Sequence, residues 1–398
     1  MAGLSAFLAL VVAGTLWLAL RDDPYVAPAP LEDGPRVEPA AAAALLQRLS
    51  RAVEEKDPAA TAELAADDAA RRRLSALVVN AERIGLDDVA LRYVDELGGA
   101  DETGEWSATA IATWRIDAFD ATPASAEVRV DFRSAADAGV AIVDVGGTGG
   151  VSPVWLSGPV QVRRSADTLV LAARDPGRYA RLARRAVVVV RRVLPRWRDG
   201  LVVEVPRSAT ALDAALDVER GTFANVAGVT AAADGSTGDA APVHVFLNPE
   251  QLRDLRPAGA QVVVSHEAAH VALDAPASDL PAWLSEGFAD YVALRDVDLP
   301  LRTTAAQIIR QVRRDGVPRA LPDSDDFDEE SHYFGAAYEA SWIACRLLAQ
   351  RHGERSLLTF YRRADGAQDL DALFVRTFGT TEQVFTRQWQ DVLSDLAG

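Results

Sequence analysis

Lysine, methionine, cysteine and histidine are all scarce in this 398-residue chain: one, one, one and five copies respectively. The lone cysteine, Cys345, excludes an intramolecular disulfide. It sits in the apolar helical stretch Trp342-Ile-Ala-Cys-Arg-Leu-Leu348, the setting of a small buried hydrophobe rather than of a nucleophile. Basic residues are outnumbered 41 to 58 by acidic ones, for a net charge of −17. That balance excludes nucleic acid as an expected partner, because phosphate binding needs a basic surface, and it argues against a polybasic grip on anionic lipid. Lys56 as the only lysine, among abundant Ala, Arg, Val and Asp, is the mark of a high-GC coding bias and says nothing about chemistry. No histidine precedes His244, so the first half carries no catalytic cluster. Its glycine run Gly146-Gly-Thr-Gly-Gly150 lacks the Lys and Ser/Thr of a phosphate loop and reads as a turn.

Two of the five histidines stand together in His266-Glu-Ala-Ala-His270. Residues four apart share a helix face, so both imidazoles can address one zinc ion, with Glu267 one step round the helix. A catalytic zinc keeps one position open for water, and a neighbouring carboxylate can take that water's proton. By composition, chance would produce H-E-x-x-H in fewer than roughly one chain in a hundred of this length. Pro257-Ala-Gly259 punctuates the chain just upstream, and Val262, Val263, Ala269 and Leu273 recur at helical spacing.

A second helix is predicted from Pro281-Ala-Trp-Leu-Ser-Glu-Gly-Phe-Ala-Asp-Tyr291. There Glu286 can complete a His-His-Glu zinc site, and Asp290, four residues on, can accept the spare N–H of a ligand histidine. Gly287, with no side chain, lets this helix and the zinc helix approach closely.

H-E-x-x-H followed by P-x-W-L-x-E-G-x-A-x-Y resembles the gluzincin metallopeptidases, in particular their peptidase-MA-like branch, over roughly Arg178 to the C-terminus. The resemblance implies a thermolysin-like, mostly helical peptidase domain with a small edge sheet. It also implies that Val243-His-Val-Phe-Leu247, the strand before the zinc helix, borders the cleft and pairs with an extended peptide. Tyr338-Glu-Ala-Ser341 lines up in part with the Tyr-Glu-Lys-Gly stretch of gluzincin aminopeptidases, which makes Tyr338 the expected oxyanion donor. Tyr333 is the alternative and His332 a second donor. His244 alternates with the apolar face of its strand and reads as a surface or packing histidine. Two departures are plain: fifteen residues separate His270 from Glu286, fewer than in the large aminopeptidases, and no Gly-x-Met-Glu-Asn element is present. Internal cleavage is therefore the expectation.

The remaining chain fits an α+β organisation. Residues 2–20 form an uncharged, mostly apolar run of membrane-spanning length, so residues 1–21 are expected as an anchor, with a cleaved signal peptide as the rival. Residues 22–39, rich in proline, read as a stalk. Residues 40–175 read as helices followed by an antiparallel sheet, over 106–116, 126–132, 140–145 and 160–171, an order resembling the NTF2-like and cystatin-like cone. Residues 176–398 are the expected peptidase domain. Asp323 to Glu330 is an acidic loop without calcium-ligand spacing. The arginines of 178–194 read as a solvated face.

Together these readings predict a membrane-anchored, extracytoplasmic, single-pass zinc peptidase, or a secreted one after signal cleavage. It would act on peptide or protein substrates through zinc-activated water, with Glu267 as general base and one catalytic zinc. The alternatives are a non-catalytic zinc-containing scaffold and a zinc amide hydrolase with a non-peptide substrate.

Overall fold

A computed structural model of the chain describes residues 36–135, 139–146, 151–236, 241–328 and 333–398. The expected membrane helix and nearly all of the stalk lie outside them, and no described helix is long and apolar enough to cross a membrane.

Two helices open the described chain, α1 (Pro39–Glu54) and α2 (Asp68–Ile84). Asp67 caps α2 by accepting from the N–H groups of Ala69 and Ala70, and Gly85 ends it at φ +74°, a left-handed backbone that suits glycine. They cover a four-stranded antiparallel meander of β1 (Leu86–Glu96), β2 (Glu105–Ile116), β3 (Ala124–Ala135) and β4 (Gly139–Val145). Along β2 every second residue is buried, including Trp106, Ala108, Ala110, Ala112 and Trp114, the period-two pattern of a sheet with one face on a core.

A second sheet runs β5 (Gln161–Arg164), β6 (Thr168–Ala172), β7 (Leu201–Val205), β9 (Val243–Leu247) and β8 (Gly228–Ala232) in spatial order. β6, β7 and β9 are parallel, and β5 and β8 flank them antiparallel. Helix α3 (Pro176–Val193) makes the crossover that the parallel pair β6–β7 requires. β6 and β7 are buried at every position, which explains their unbroken apolar runs. Val170, Val203 and Val245 face the helical core, while Leu169, Leu171, Val202 and Phe246 face the first sheet.

The predicted fold is corrected here. The second half is not a mostly helical, thermolysin-like domain with a small edge sheet: its helices pack on a five-stranded mixed sheet whose other face belongs to the first core. The segment 160–171, expected in the cone-like sheet, instead supplies β5 and β6 to this second sheet. The first sheet takes β1 in its place. Asn80 of α2, fully buried, donates to the carbonyls of Trp155 and Gly158 at 2.9 and 2.8 Å and so pins the connection leading into β5.

On the inner face of the second sheet, His244 of β9 is not a surface residue. It is 1% exposed, with Nδ1 2.7 Å from Glu204 of β7 and Nε2 3.0 Å from Asp120 of the β2–β3 turn. Burial disfavours charge on the ring, but the Asp120 and Glu204 carboxylates outweigh it and push His244 up to about 9.

Helices α4 (Ala209–Ala215), α5 (Pro249–Asp254), α6 (Pro257–Leu273), α7 (Ala282–Leu294), α8 (Leu301–Thr304), α9 (Ala306–Asp315), α10 (Phe334–His352), α11 (Glu354–Ala364), α12 (Leu370–Phe378) and α13 (Glu382–Ala397) complete the chain. Pro257 is the first residue of α6, where its missing N–H costs nothing. Gly287 of α7 lies against the backbone of α10, where an added Cβ would clash with the Ser341 carbonyl oxygen. The close approach expected of Gly287 is therefore to α10 rather than to α6.

Two outcomes follow for stability. The folded His244 ring holds its proton above the pH at which the unfolded ring, near 6.5, loses it. Its contribution is therefore complete below about pH 6.5 and is lost as pH rises through about 9. Urea denaturation between these pH values reads the loss, and His244→Phe, which leaves two buried carboxylates without their cation, costs about 3–5 kcal/mol and removes this component of the pH dependence. Gly287→Ala forces α7 and α10 apart and lowers stability by about 1–3 kcal/mol or more in the same assay.

Candidate metal centre

α6 and α7 bring three ligand atoms together. The Nε2 atoms of His266 and His270 are 3.0 Å apart, and Glu286 Oε2 lies 3.1 Å from the first and 3.3 Å from the second. Both histidines are buried, one turn apart on α6, and Glu286 is half-buried on the facing turn of α7. Among the described residues, this is the one group of His, Cys, Asp and Glu side chains with metal-ligand convergence.

Asp290, one turn beyond Glu286, places Oδ1 2.8 Å from His266 Nδ1. A carboxylate there keeps the proton on Nδ1 and leaves the Nε2 lone pair directed into the cluster. Burial lowers the proton affinity of His266, yet Asp290 first, then Glu286 and Glu267, hold it well above the usual imidazole range. Burial likewise raises Glu286, but the charges of His270 and His266 and their hydrogen bonds hold its carboxyl far below the usual range.

The donor set fits zinc. With zinc–nitrogen and zinc–oxygen distances of about 2.0–2.2 Å, the edges of a tetrahedron are roughly 3.3–3.5 Å, and the observed separations of 3.0–3.3 Å sit close to them. His270 Nδ1 is buried with no partner among the described residues. Its Nε2 lies within hydrogen-bond reach of Glu286 Oε2, so the ring turns its donor atom into the cluster rather than toward the surrounding core.

The fourth side opens on a cleft of about 320 Å³. Glu267 lines it, 7% exposed as a residue, and its Oε2 accepts from the Thr230 hydroxyl at 2.8 Å. Thr230 belongs to β8, which is the edge strand; β9, expected at the cleft border, lies inside the sheet between β7 and β8. Gly228, also on β8, leaves room for the Glu267 side chain, since a Cβ there would stand 3.0 Å from Glu267 Cγ. β8 escaped the sequence reading because Gly228-Val-Thr-Ala-Ala232 is short and carries only two β-branched residues.

Tyr338 of α10 lines the cleft with its ring centroid 5.9 Å from that of His266. Edge-on contacts with Phe327 and Phe334 set its ring plane. The alternative donor, Tyr333, is turned elsewhere: its hydroxyl donates to Asp315 and accepts from Arg314. His332 lies outside the described residues. Cys345 is fully buried in α10, and burial pushes its thiol well above the usual range, which suits a packing residue.

No family model matches the chain, and no curated protein and no solved structure matches it.

The outer carboxylate gives the centre a simple test. Asp290→Asn removes the charge that orients His266 and lowers zinc affinity by about 10–100-fold, measured by chelator competition. Unchanged affinity would show that Asp290 does not act on the metal centre.

Proposed function

We propose that the chain is a zinc-dependent peptidase of the gluzincin kind that cleaves internal peptide bonds. One observation carries the proposal: His266, His270 and Glu286 converge on three sides of a point whose fourth side faces a cleft that also holds Glu267. A purely structural zinc site closes all four positions and has no use for an adjacent base.

His266, His270 and Glu286 would hold the metal. Zinc, when bound, supplies Lewis-acid polarisation of a carbonyl and acidifies water. Glu267 does the proton work. Its Oε2 is engaged by Thr230, so Oε1 is the oxygen that takes a proton from water and returns it to the leaving amine. The substrate main chain pairs with the free edge of β8, whose Gly228, Val229 and Thr230 line the cleft. That pairing lays the scissile bond across the mouth of the cluster. Tyr338, its ring held by Phe327 and Phe334, is the phenol that would donate to the developing oxyanion.

Glu267→Gln tests the reading. The amide is nearly isosteric and keeps the Thr230 contact, so the variant binds one zinc per chain while hydrolysis of a peptide library falls by about 10²–10⁴-fold. Zinc retention without any cleavage by the wild type would leave a non-catalytic scaffold. Hydrolysis of amide substrates but not peptides would move the same machinery to another substrate class.

A further inference from the structure

Helix α3 carries a charge opposite to that of the chain. From Arg174 to Arg198 there are nine arginines and one acid, Asp175, in a protein of net charge −17. Some of these arginines have structural partners: Arg178 donates to the Leu252 carbonyl, Arg191 to Asp167 and Arg192 to Asp296. Arg181, Arg184 and Arg185 are exposed and make no hydrogen bond or ion pair among the described residues. Arg181, Arg185 and Val188 follow one another at i, i+4 and i+7 on a single face, and Val188 is 54% exposed.

Arg181 and Arg185, with Arg178 beside them, form one wall of a groove of about 890 Å³, and Val188 lines the hollow that adjoins it. The opposite wall is the first turns of α6 and the turn at 296–299, where Leu299 is 49% exposed. Its floor includes Leu182, Val189 and Val262. A second hollow of about 440 Å³ continues along α3 past Arg184 to Arg192. Among the described residues that line the two hollows, six arginines (178, 181, 184, 185, 192 and 253) face two acids, Asp296 and Asp298. The zinc helix is a shared wall. Gln261, Val262 and Ser265 face the groove, whereas His266, Glu267 and His270 face the cleft.

Guanidinium forks recognise carboxylates by paired, charge-assisted hydrogen bonds, and apolar surface between them asks for apolar side chains. A walled groove suits a segment of polypeptide better than a flat bilayer. We propose that the groove between α3 and α6 is a docking site for an acidic segment of a partner protein, one in which Asp or Glu alternates with apolar residues. Charge complementarity selects this occupant. The inference is independent of the cleft's chemistry, because docking is read without catalysis.

The test uses the full-length chain and a fluorescein-labelled peptide of about twelve alternating Glu and Leu residues, followed by fluorescence anisotropy. Binding is expected, weakening at least about tenfold as salt shortens the Debye length from roughly 10 to 5 Å. Replacing Leu by Ser in the peptide weakens it by a similar factor. Arg181→Glu with Arg185→Glu abolishes it, whereas Arg302→Glu with Arg376→Glu, an equal charge change at exposed sites off the groove, leaves it intact. Circular dichroism checks that both double variants are folded. Equal loss in both double variants, or loss in neither, overturns the proposal. So does sedimentation with phosphatidylglycerol vesicles that depends on Arg181 and Arg185 while the peptide fails to bind, which assigns the face to a membrane. Self-association abolished by the same pair, again without peptide binding, assigns it to a second copy.

Discussion

Three electron-rich atoms, two imidazole nitrogens and a carboxylate oxygen, are held 3.0–3.3 Å apart by the packing of α6 on α7. Such atoms repel one another unless positive charge lies between them, so the surrounding structure has to enforce their meeting. It does so from both sides. Ala260, Val264 and Ala268 bury α6 in the helical core, and Gly287 lets α10 press on the back of α7. Asp290 then fixes the ring of His266 from behind. On the proposed reading, such a cluster is a pre-formed seat for a cation, with its ordering entropy spent in folding rather than in binding.

The five-stranded sheet sets everything else around that seat. Its helical face carries α3 and α6, and its other face is closed by the first core, so β6 and β7 have no exposed side. A charged cluster in this seam, Asp120, Glu204 and His244, satisfies both ring nitrogens of the histidine. It ties the β2–β3 turn to the centre of the second sheet. β8, at the free edge, is left to the cleft, where Thr230 and Gly228 shape the seat of Glu267. The first half thus packs on one face of the sheet whose other face carries α6, and α6 lies between the cleft and the arginine-lined groove behind it.

Much of the site was legible because it is local. The i, i+4 spacing of His266 and His270, and of Glu286 and Asp290, is a property of any helix, so the chain itself declares which faces these side chains share. The long-range parts were not legible. Whether 160–171 joins the first sheet or the second depends on which partner strands are available, and an apolar run looks alike in either place. His244 sits in an alternating pattern that fits a half-exposed strand; only the arrival of Glu204 from β7 and of Asp120, 124 residues earlier in the chain, gives its buried ring two carboxylate partners. The choice between β8 and β9 as the cleft strand likewise rests on sheet order, which local pattern does not encode.

What the sequence by itself determined is therefore the spacing: two imidazoles one helical turn apart with Glu267 beside them, and Glu286 and Asp290 one turn apart on the next helix, all within a few residues of one another. Tertiary structure alone decided the architecture around them: a mixed sheet shared by two cores, β8 as the strand at the cleft, Tyr338 rather than Tyr333 beside His266, and six arginines gathered along two adjoining hollows. The physical reason is the range of the forces involved. Helical periodicity acts over one or two turns and can be read along the chain, whereas strand pairing and the burial of charge are settled by competition among segments far apart in sequence.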